Sequence, residues 1–388
     1  MAHQLRRLRN SPARQLNQLE CNVRLSKRVL TAAVAVTAVA LAVPAATVPA
    51  SAKTSVKVGL AFDIGGRGDK SFNDSAYAGL EKAAKTLGVA TKTVSATQGG
   101  AATEREDKLR LLAQAGYNPI IAVGFLYAAS VSKVAAEFPK TSFAIIDDSS
   151  IALDNVYSLV FAEEQGSYLA GVAAAKASKS GKIGYIGGVR IPLLQKFEAG
   201  FVAGVTATNK SATVDVKYVS EPPDFSGFGD PAKAKVIAKG MIDAGADVIY
   251  SAAGGSGKGN FQAATDAAKA GKKVWTIGVD SDQYLTAAPA EQKNMLTSML
   301  KRVDVAVYDM IYNFVKGKKF EEVLATINDA NGKFQGYALG KRYNLSNGGV
   351  SLATSGGYLK SLGIQSAVDA AAAGIKAGKI KVPTVPKA

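Results

Sequence analysis

Residues 56–95 read VKVGLAFDIGGRGDKSFNDSAYAGLEKAAKTLGVATKTVS. The apolar run at 56–63 predicts a buried strand, 74–87 has the apolar spacing of a helix, and 91–95 predicts a second strand. Glycines and charged residues separate the first strand from the helix. A strand, a helix and a strand in this order indicate two parallel strands joined by a helix that covers the sheet.

The same alternation continues along the rest of the chain. Apolar runs predict ten strands, at 56–63, 91–95, 119–123, 142–147, 156–161, 182–186, 214–219, 247–252, 273–280 and 295–300. Amphipathic stretches between most of them predict helices, as at 303–316, where the apolar face ends before Gly317. Because one sheet rarely holds so many strands, we predict two doubly wound α/β lobes. The predicted bounds are 53–162 for the N-lobe, 163–283 for the C-lobe, and 284–388 for a return to the N-lobe with a weakly patterned tail.

A hydrophobic segment precedes the first strand. Residues 29–43 are apolar, follow three basic residues at 24–28, and are followed by Ala50-Ser51-Ala52. A basic start, a short apolar core and an A-x-A site are typical of a secretory signal peptide. The run is shorter than the roughly 20 apolar residues that span a bilayer. We therefore predict a signal peptide at 1–52 rather than a permanent anchor; a translation start near Val23 would give this leader ordinary proportions.

The single cysteine and the single histidine both lie in the leader, as Cys21 and His3. After cleavage, the protein would contain no thiol nucleophile, no imidazole base, no disulfide and no zinc ligand of either type. A catalytic triad built on histidine is excluded there as well. We predict that the protein is not an enzyme and binds no metal and no cofactor. Carboxylate or lysine chemistry is the alternative.

The chain is basic, with a formal net charge of +16. The leader holds seven basic residues and one acid, which leaves 40 basic and 30 acidic residues from Lys53 onward. An excess of this size occurs in proteins that bind nucleic acid or anionic surfaces. Here the lysines are spread one or two per helix, as in Lys82-Ala83-Ala84-Lys85. We therefore predict a solvated surface and no nucleic-acid partner.

Acidic residues end three of the predicted strands, as Asp63, Asp147 with Asp148, and Asp280. In open parallel sheets, ligands bind beyond the carboxyl ends of the strands. Carboxylates in that place accept hydrogen bonds from sugar hydroxyls or from base N–H groups. Alternatively, each Asp caps the helix that follows it. Both interpretations stay open for each acid taken singly.

Two glycine-rich loops follow predicted strands. The first, at 63–73, lacks the spacing of the G-x-G-x-x-G dinucleotide motif, and it leads into Phe72 and Asn73 at the start of a helix. Phe72 either packs in the helix core or stacks on a planar ligand. The second, at 254–259, has Gly rather than Ser or Thr after Lys258, which argues against a P-loop. Its backbone N–H groups would still approach a ligand closely.

Six short motifs stand in order between residues 56 and 383. They are Asp63-(x)8-Phe72-Asn73, Ile145-Ile146-Asp147, Glu164-Gln165-Gly166-Ser167-Tyr168-Leu169-Ala170-Gly171, Phe228-Gly229-Asp230-Pro231-Ala232-Lys233, Ala252-Ala253-Gly254-Gly255-Ser256-Gly257 and Ile277-Gly278-Val279-Asp280-Ser281-Asp282-Gln283. Their order and approximate spacing resemble the basic membrane protein family, the purine-nucleoside receptors of ABC importers. The resemblance implies a type I periplasmic-binding-protein fold, in which three crossovers join two α/β lobes at a hinge.

The resemblance also implies eight ligand-binding residues. They are Phe72 and Phe228 as the pair that stacks on the base, Asn73 and Asp147 as polar contacts to the base, and Asp63, Gly257, Asp280 and Lys301 as contacts to the ribose. Phe225 is the alternative to Phe228, and Asp282 is the alternative to Asp280. None of the eight supplies a guanidinium fork for a phosphate, so a nucleoside fits better than a nucleotide.

The function implied by the resemblance is capture of a purine nucleoside outside the cytoplasm and its delivery to an ABC permease, by a monomer. Members of the family often carry a lipidated Cys directly after the signal peptide, whereas Lys53 follows Ala52 here. We therefore expect the protein in the periplasm, at the cell surface or outside the cell. The alternatives are a receptor for a sugar or a modified nucleoside, and a ligand-sensing regulatory protein of the same fold.

Overall fold

The computed structural model describes residues 56–97 and 100–387, which form two sheets covered by helices. The strands are β1 (Lys57–Phe62), β2 (Ala90–Ser95), β3 (Ile120–Ala122), β4 (Phe143–Ile146), β5 (Val156–Phe161), β6 (Lys182–Val189), β7 (Thr213–Ser220), β8 (Val248–Ala252), β9 (Trp275–Asp280), β10 (Met295–Lys301), β11 (Glu322–Asn328), β12 (Phe334–Tyr343) and β13 (Val350–Leu352). The helices are α1 (Phe72–Leu87), α2 (Ala102–Gln114), α3 (Ala128–Glu137), α4 (Glu163–Ala177), α5 (Pro192–Thr208), α6 (Pro231–Asp243), α7 (Gly257–Lys269), α8 (Pro289–Gln292), α9 (Val303–Val315), α10 (Tyr358–Ser361) and α11 (Gln365–Lys376). The ten predicted strands are all present, with small differences at their ends.

The N-lobe contains a seven-stranded sheet in the order β11-β12-β5-β4-β3-β1-β2. Its strands are parallel except for β11, which pairs antiparallel with β12. Every residue of β3 and β4 is buried. This is expected where helices cover both faces of a parallel sheet: α1 and α9 pack together on one face, and α2 and α3 pack on the other.

The C-lobe contains a six-stranded sheet in the order β13-β10-β9-β8-β6-β7. Only β13 is antiparallel to its neighbour. On one face, α4 and α5 pack so closely that a Cβ on Gly200 would lie 2.2 Å from the Glu164 carbonyl oxygen. Glycine is therefore required at this crossing, where the first turn of α4 packs against the middle of α5.

Three crossovers join the lobes, between β5 and α4, between β10 and α9, and between β12 and β13. The Ala162 N–H donates to the Tyr343 carbonyl at 2.8 Å, and the Arg302 N–H donates to the Gly349 carbonyl at 2.9 Å. These two hydrogen bonds tie neighbouring crossovers together. The crossovers therefore lie side by side, as in a hinge.

The predicted return to the N-lobe at 284 is wrong. β10 pairs with β9 inside the C-lobe sheet, so the chain crosses back only after Lys301. The tail also contains more structure than predicted, since β12 lies inside the N-lobe sheet, while β13 and α11 pack in the C-lobe. Many residues of β11 and β12 are exposed, so these strands lack the continuous apolar run that marks the others.

The predicted signal peptide, 1–52, lies outside the described residues. Across 56–97 and 100–387, the helices are too short or too polar to cross a membrane.

Candidate functional site

A cavity that is partly open to solvent, with about 630 Å³ of empty space, lies between the lobes. Its wall includes the carboxyl ends of strands from both sheets, the place where ligands bind in open α/β folds. Seven of the eight predicted residues line it: Asp63, Phe72, Asn73, Asp147, Phe228, Asp280 and Lys301. The fold therefore brings residues more than 200 positions apart to one cleft.

Gly257 is the exception, because it is the first residue of α7 and does not line the cavity. A short helical turn at Gly254–Ser256 precedes it, and Gly254 and Gly255 reach the cavity in its place. The Ser256 hydroxyl donates to the Gly227 carbonyl at 2.8 Å and accepts from the Asp230 N–H at 2.7 Å. These bonds hold the turn against the segment that carries Phe228.

Lys301 lies at the centre of the buried charges, with 2% of its side chain exposed. Its Nζ is 2.6 Å from Asp147 Oδ2 and 3.3 Å from Glu163 Oε1. Burial lowers the pKa of Lys301, but the nearby carboxylates outweigh burial and raise the pKa above its usual range. The side chain is therefore an ammonium, and two of its three N–H groups face these carboxylates. Glu163, the first residue of α4, is not among the predicted residues.

Asp147 and Asp280 stand at the ends of β4 and β9 with φ angles of +68° and +66°. This left-handed conformation is energetically unfavourable for residues other than glycine, although Asp tolerates it better than most. Such strain is concentrated at functional sites. Burial raises the pKa of Asp147, against the opposing effect of Lys301, and burial raises the pKa of Asp280 to about 7. Oδ1 of Asp147 is buried without a hydrogen-bond partner, so it is an acceptor available to a ligand.

Asp63 follows β1, and its carboxylate is held from two sides. Oδ1 accepts from the Ile64 N–H at 2.8 Å and lies 3.6 Å from Arg105 Nη2. Gly124, with φ +109°, approaches so closely that a Cβ there would lie 2.3 Å from Asp63 Oδ2. Burial raises the pKa of Asp63 to about 6, although the Ile64 N–H and Arg105 lower it. Arg105 comes from α2, and the sequence carries no motif that marks it.

The side-chain amide of Asn73 is already bonded within the N-lobe. Its Oδ1 accepts from the Asp63 N–H at 3.2 Å, and its Nδ2 donates to Asp69 Oδ2 at 3.1 Å and to the Ile64 carbonyl at 3.4 Å. Asn73 therefore fixes the loop that carries Asp63. A base N–H can still donate to the second lone pair of Oδ1, whereas a donation from Nδ2 to the base requires one of the two Nδ2 bonds to be exchanged.

Phe72 and Phe228 are half-buried and line the cavity from opposite lobes. The Phe72 ring lies 5.1 Å from Lys301 Nζ, a distance at which a cation attracts an aromatic face. The Phe228 ring packs directly on the backbone of Gly188. A Cβ atom added to Gly188 would lie 2.6 Å from Cδ1 of this ring.

The alternatives to two predicted residues have other partners. Phe225 contacts Phe125 across the lobes, with ring centroids 6.0 Å apart. Asp282 Oδ2 accepts from the Ser355 hydroxyl at 2.5 Å. Neither Phe225 nor Asp282 lines the cavity, which favours Phe228 and Asp280 as the site residues.

The cavity also has an apolar wall that is not among the predicted residues. It consists of Ile64, Phe125, Leu193, Leu194 and Phe197. Three of them come from the first turns of α5, which begins at Pro192. An apolar surface with a few fixed polar groups is typical of small-molecule sites. The Leu-Leu pair after Pro192 is the only local signal in the sequence for this wall.

The carboxylates give the stability of the protein a pH dependence. The pKa of Asp280 is about 7 in the folded protein, against a usual value of 3.8. The folded state holds a proton that the unfolded chain releases, so this group's contribution to stability is lost as pH rises from about 4 to about 7. In urea titrations without ligand, Asp280→Asn should make the free energy of unfolding fall less steeply over that range. An unchanged slope would contradict the raised pKa.

Comparison with known proteins identifies the family. The profile described as "ABC transporter substrate-binding protein PnrA-like" (Bmp) matches residues 56–333. The "ABC transporter nucleoside-binding protein BmpA" of Lactococcus lactis is 34% identical over 375 residues, which cover 93% of this chain and 100% of that protein. The "CD4+ T-cell-stimulating antigen" of Listeria monocytogenes is 38% identical over 262 residues, which cover 65% of this chain and 72% of that protein.

Solved structures agree with the fold. An ABC transporter solute-binding protein from Aeropyrum pernix superposes with a TM-score of 0.70 at 26% identity, and the match covers 86% of this chain and 94% of that one. The predicted type I periplasmic-binding-protein fold and the resemblance to the basic membrane proteins are thus confirmed. This chain belongs to the PnrA-like family of ABC transporter substrate-binding proteins, and it is a solute-binding protein rather than an enzyme.

Proposed function

We propose that the solute is a purine nucleoside, bound in the cavity between the lobes and delivered to the permease of an ABC importer by a monomeric protein. The observation that carries this proposal is the pair of phenylalanines, Phe72 and Phe228, which line one cavity from opposite lobes. Stacking of a base on an aromatic ring contributes about 1–3 kcal/mol. The name of the Lactococcus lactis relative, a nucleoside-binding protein, supports the same ligand class.

The polar end of the cavity suits a ribose. Asp147, predicted as a contact to the base, borders this end with a buried acceptor that has no partner, and Lys301 carries one N–H beyond those that face Asp147 and Glu163. Asp63 and Asp280 provide further carboxylate oxygens at the cavity wall. Two neighbouring hydroxyls of a sugar donate to such carboxylates and accept from the ammonium.

The same charges disfavour a phosphate. Of the residues that the structure describes, four acids, Asp63, Asp69, Asp147 and Asp280, line the cavity, whereas Lys301 is the one cation that does so. Lys301 is itself paired with Asp147. A phosphate would therefore meet like charges in a buried site, which costs energy. We infer that the protein selects nucleosides over nucleotides.

Calorimetric titration tests the ligand class. Inosine, guanosine and adenosine should bind, and ribose, the matched ligand without a base, should bind at least tenfold more weakly because it cannot stack. Inosine monophosphate should also bind more weakly than inosine. Ribose that binds as tightly as inosine would overturn the proposal and favour a sugar receptor.

We also propose that the protein is exported after cleavage of the leader near Ala52. The basis is the apolar run at 29–43 followed by Ala50-Ser51-Ala52. The mass of the exported chain tests this, because it should equal that of a chain that starts near Lys53. An exported chain that retains 29–43 would instead be anchored by this segment.

A further inference from the structure

Ser71 occupies the position before α1 where a serine usually caps the helix, yet its side chain makes no capping hydrogen bond. Asp69 takes that role. Its carboxylate accepts from the N–H groups of Ser71, Asn73 and Asp74 at 3.0, 2.8 and 3.0 Å. Asp69 thus satisfies two first-turn donors, those of Asn73 and Asp74, and the Ser71 hydroxyl is free to bond elsewhere.

That hydroxyl reaches across to the C-lobe. It lies 2.5 Å from Asp280 Oδ2 and 3.2 Å from the Val279 carbonyl, and Ser71 is fully buried. In the opposite direction, the Ser281 hydroxyl donates to the Ser71 carbonyl at 2.9 Å. The two serines therefore form a reciprocal pair of hydrogen bonds between the lobes.

The backbone at Asp280 needs such support. Asp280 has φ +66°, and the Ser281 N–H donates to the Val279 carbonyl at 2.8 Å, which closes a three-residue turn around Asp280. Turns of this kind are tight, and a residue other than glycine is strained in them. Contacts that over-determine the turn keep the carboxylate in one orientation.

We propose that Ser71 is a positioning residue for Asp280: its hydroxyl ties Asp280 to the N-lobe, and it favours the closed arrangement of the lobes even before a ligand binds. Asp69 makes this possible because it caps α1 in place of Ser71. The role of Asp280 toward a ribose rests on the proposed function, whereas the tie between the lobes does not.

The distance between spin labels on the two lobes tests directly whether these hydrogen bonds favour the closed arrangement. Lys92 on β2 and Lys272 before β9 are exposed, so cysteines at these positions, in the full chain with Cys21→Ser, report the distance between the lobes. Without ligand, Ser71→Ala should shift the ratio of closed to open molecules toward open by about tenfold, the effect of losing one hydrogen bond. Ser281→Ala should shift it in the same direction.

Ser75→Ala is the matched control. Ser75 lies one turn further along α1, is buried, and accepts from the Asp304 N–H at 3.2 Å within the N-lobe. Its loss should leave the distance between the labels unchanged. In an Asp280→Ala background, Ser71→Ala should have a much smaller effect on that distance, because only the Val279 carbonyl, 3.2 Å away, remains as an acceptor across the lobes. If circular dichroism shows that Ser71→Ala does not fold, the distance between the labels in Ser281→Ala tests the proposal instead.

Two outcomes separate this proposal from the proposed function. Identical distance distributions for the parent chain and for Ser71→Ala or Ser281→Ala would overturn the proposal that these serines hold the lobes together, whether or not a nucleoside binds. If the distributions shift but no nucleoside binds, the tie stands and the ligand class is wrong. If inosine binds, its dissociation from Ser71→Ala should be about tenfold faster than from Ser75→Ala.

Discussion

Replacing Lys301 with methionine should abolish nucleoside binding and lower the free energy of unfolding by about 3–5 kcal/mol. The side chain is 2% exposed and lies within hydrogen-bonding distance of Asp147 and Glu163. Methionine has a similar length but no charge, so it would leave buried carboxylates without a counter-ion. Urea titration measures the stability loss, and calorimetry with inosine measures the loss of binding.

Lys196→Met is the matched control for this variant. Lys196 Nζ is 3.8 Å from the same Glu163, but 35% of its side chain is exposed. Its removal should cost much less than that of Lys301, because Glu163 keeps Lys301 as its counter-ion. The instability of Lys301→Met should also decrease at acid pH, where the stranded carboxylates become protonated. Equal stability losses in the two lysine variants would contradict the central role of Lys301.

Phe72→Ala and Phe228→Ala should each weaken inosine binding by about 5- to 150-fold, which corresponds to a loss of about 1–3 kcal/mol in stacking energy. Both rings are half-buried, so the stability of the protein should fall less than the 3–5 kcal/mol of a fully buried phenylalanine. Ribose binding, which needs no stacking, should change much less in both variants. Calorimetry with the two ligands separates these effects.

Phe334→Ala provides the control, because this ring is 53% exposed on β12 in the N-lobe and does not line the cavity. It should leave inosine binding unchanged. A Phe72 or Phe228 variant that loses stability but binds inosine as tightly as the parent would show that the phenylalanine belongs to the core rather than to the binding site.

Local sequence patterns were enough to predict the elements that carry most of the candidate site. Asp63, Asp147 and Asp280 each stand where an apolar strand ends, and parallel strands place such ends at one edge of the sheet. The assignment of ligand roles to these residues came from the family resemblance, and it stays a prediction.

Residues whose importance depends on tertiary packing were not predicted. Glu163 and Arg105 lie in helices with no motif to mark them, and only the folded chain brings them beside Lys301 and Asp63. No motif marks Ser71, whose hydroxyl lies against Asp280 only in the folded chain. The position at which the chain returns to the N-lobe, after Lys301, was also not predicted. The sequence of a buried parallel strand does not indicate to which of the two sheets it belongs.

Native mass spectrometry of the protein purified from its own cells tests most directly whether the solute is a purine nucleoside. One spectrum gives the mass of the chain and the mass of any bound ligand. We predict a chain that starts near Lys53 with one bound purine nucleoside, which added inosine displaces. A bound sugar or other solute that inosine, guanosine and adenosine all fail to displace would contradict the account.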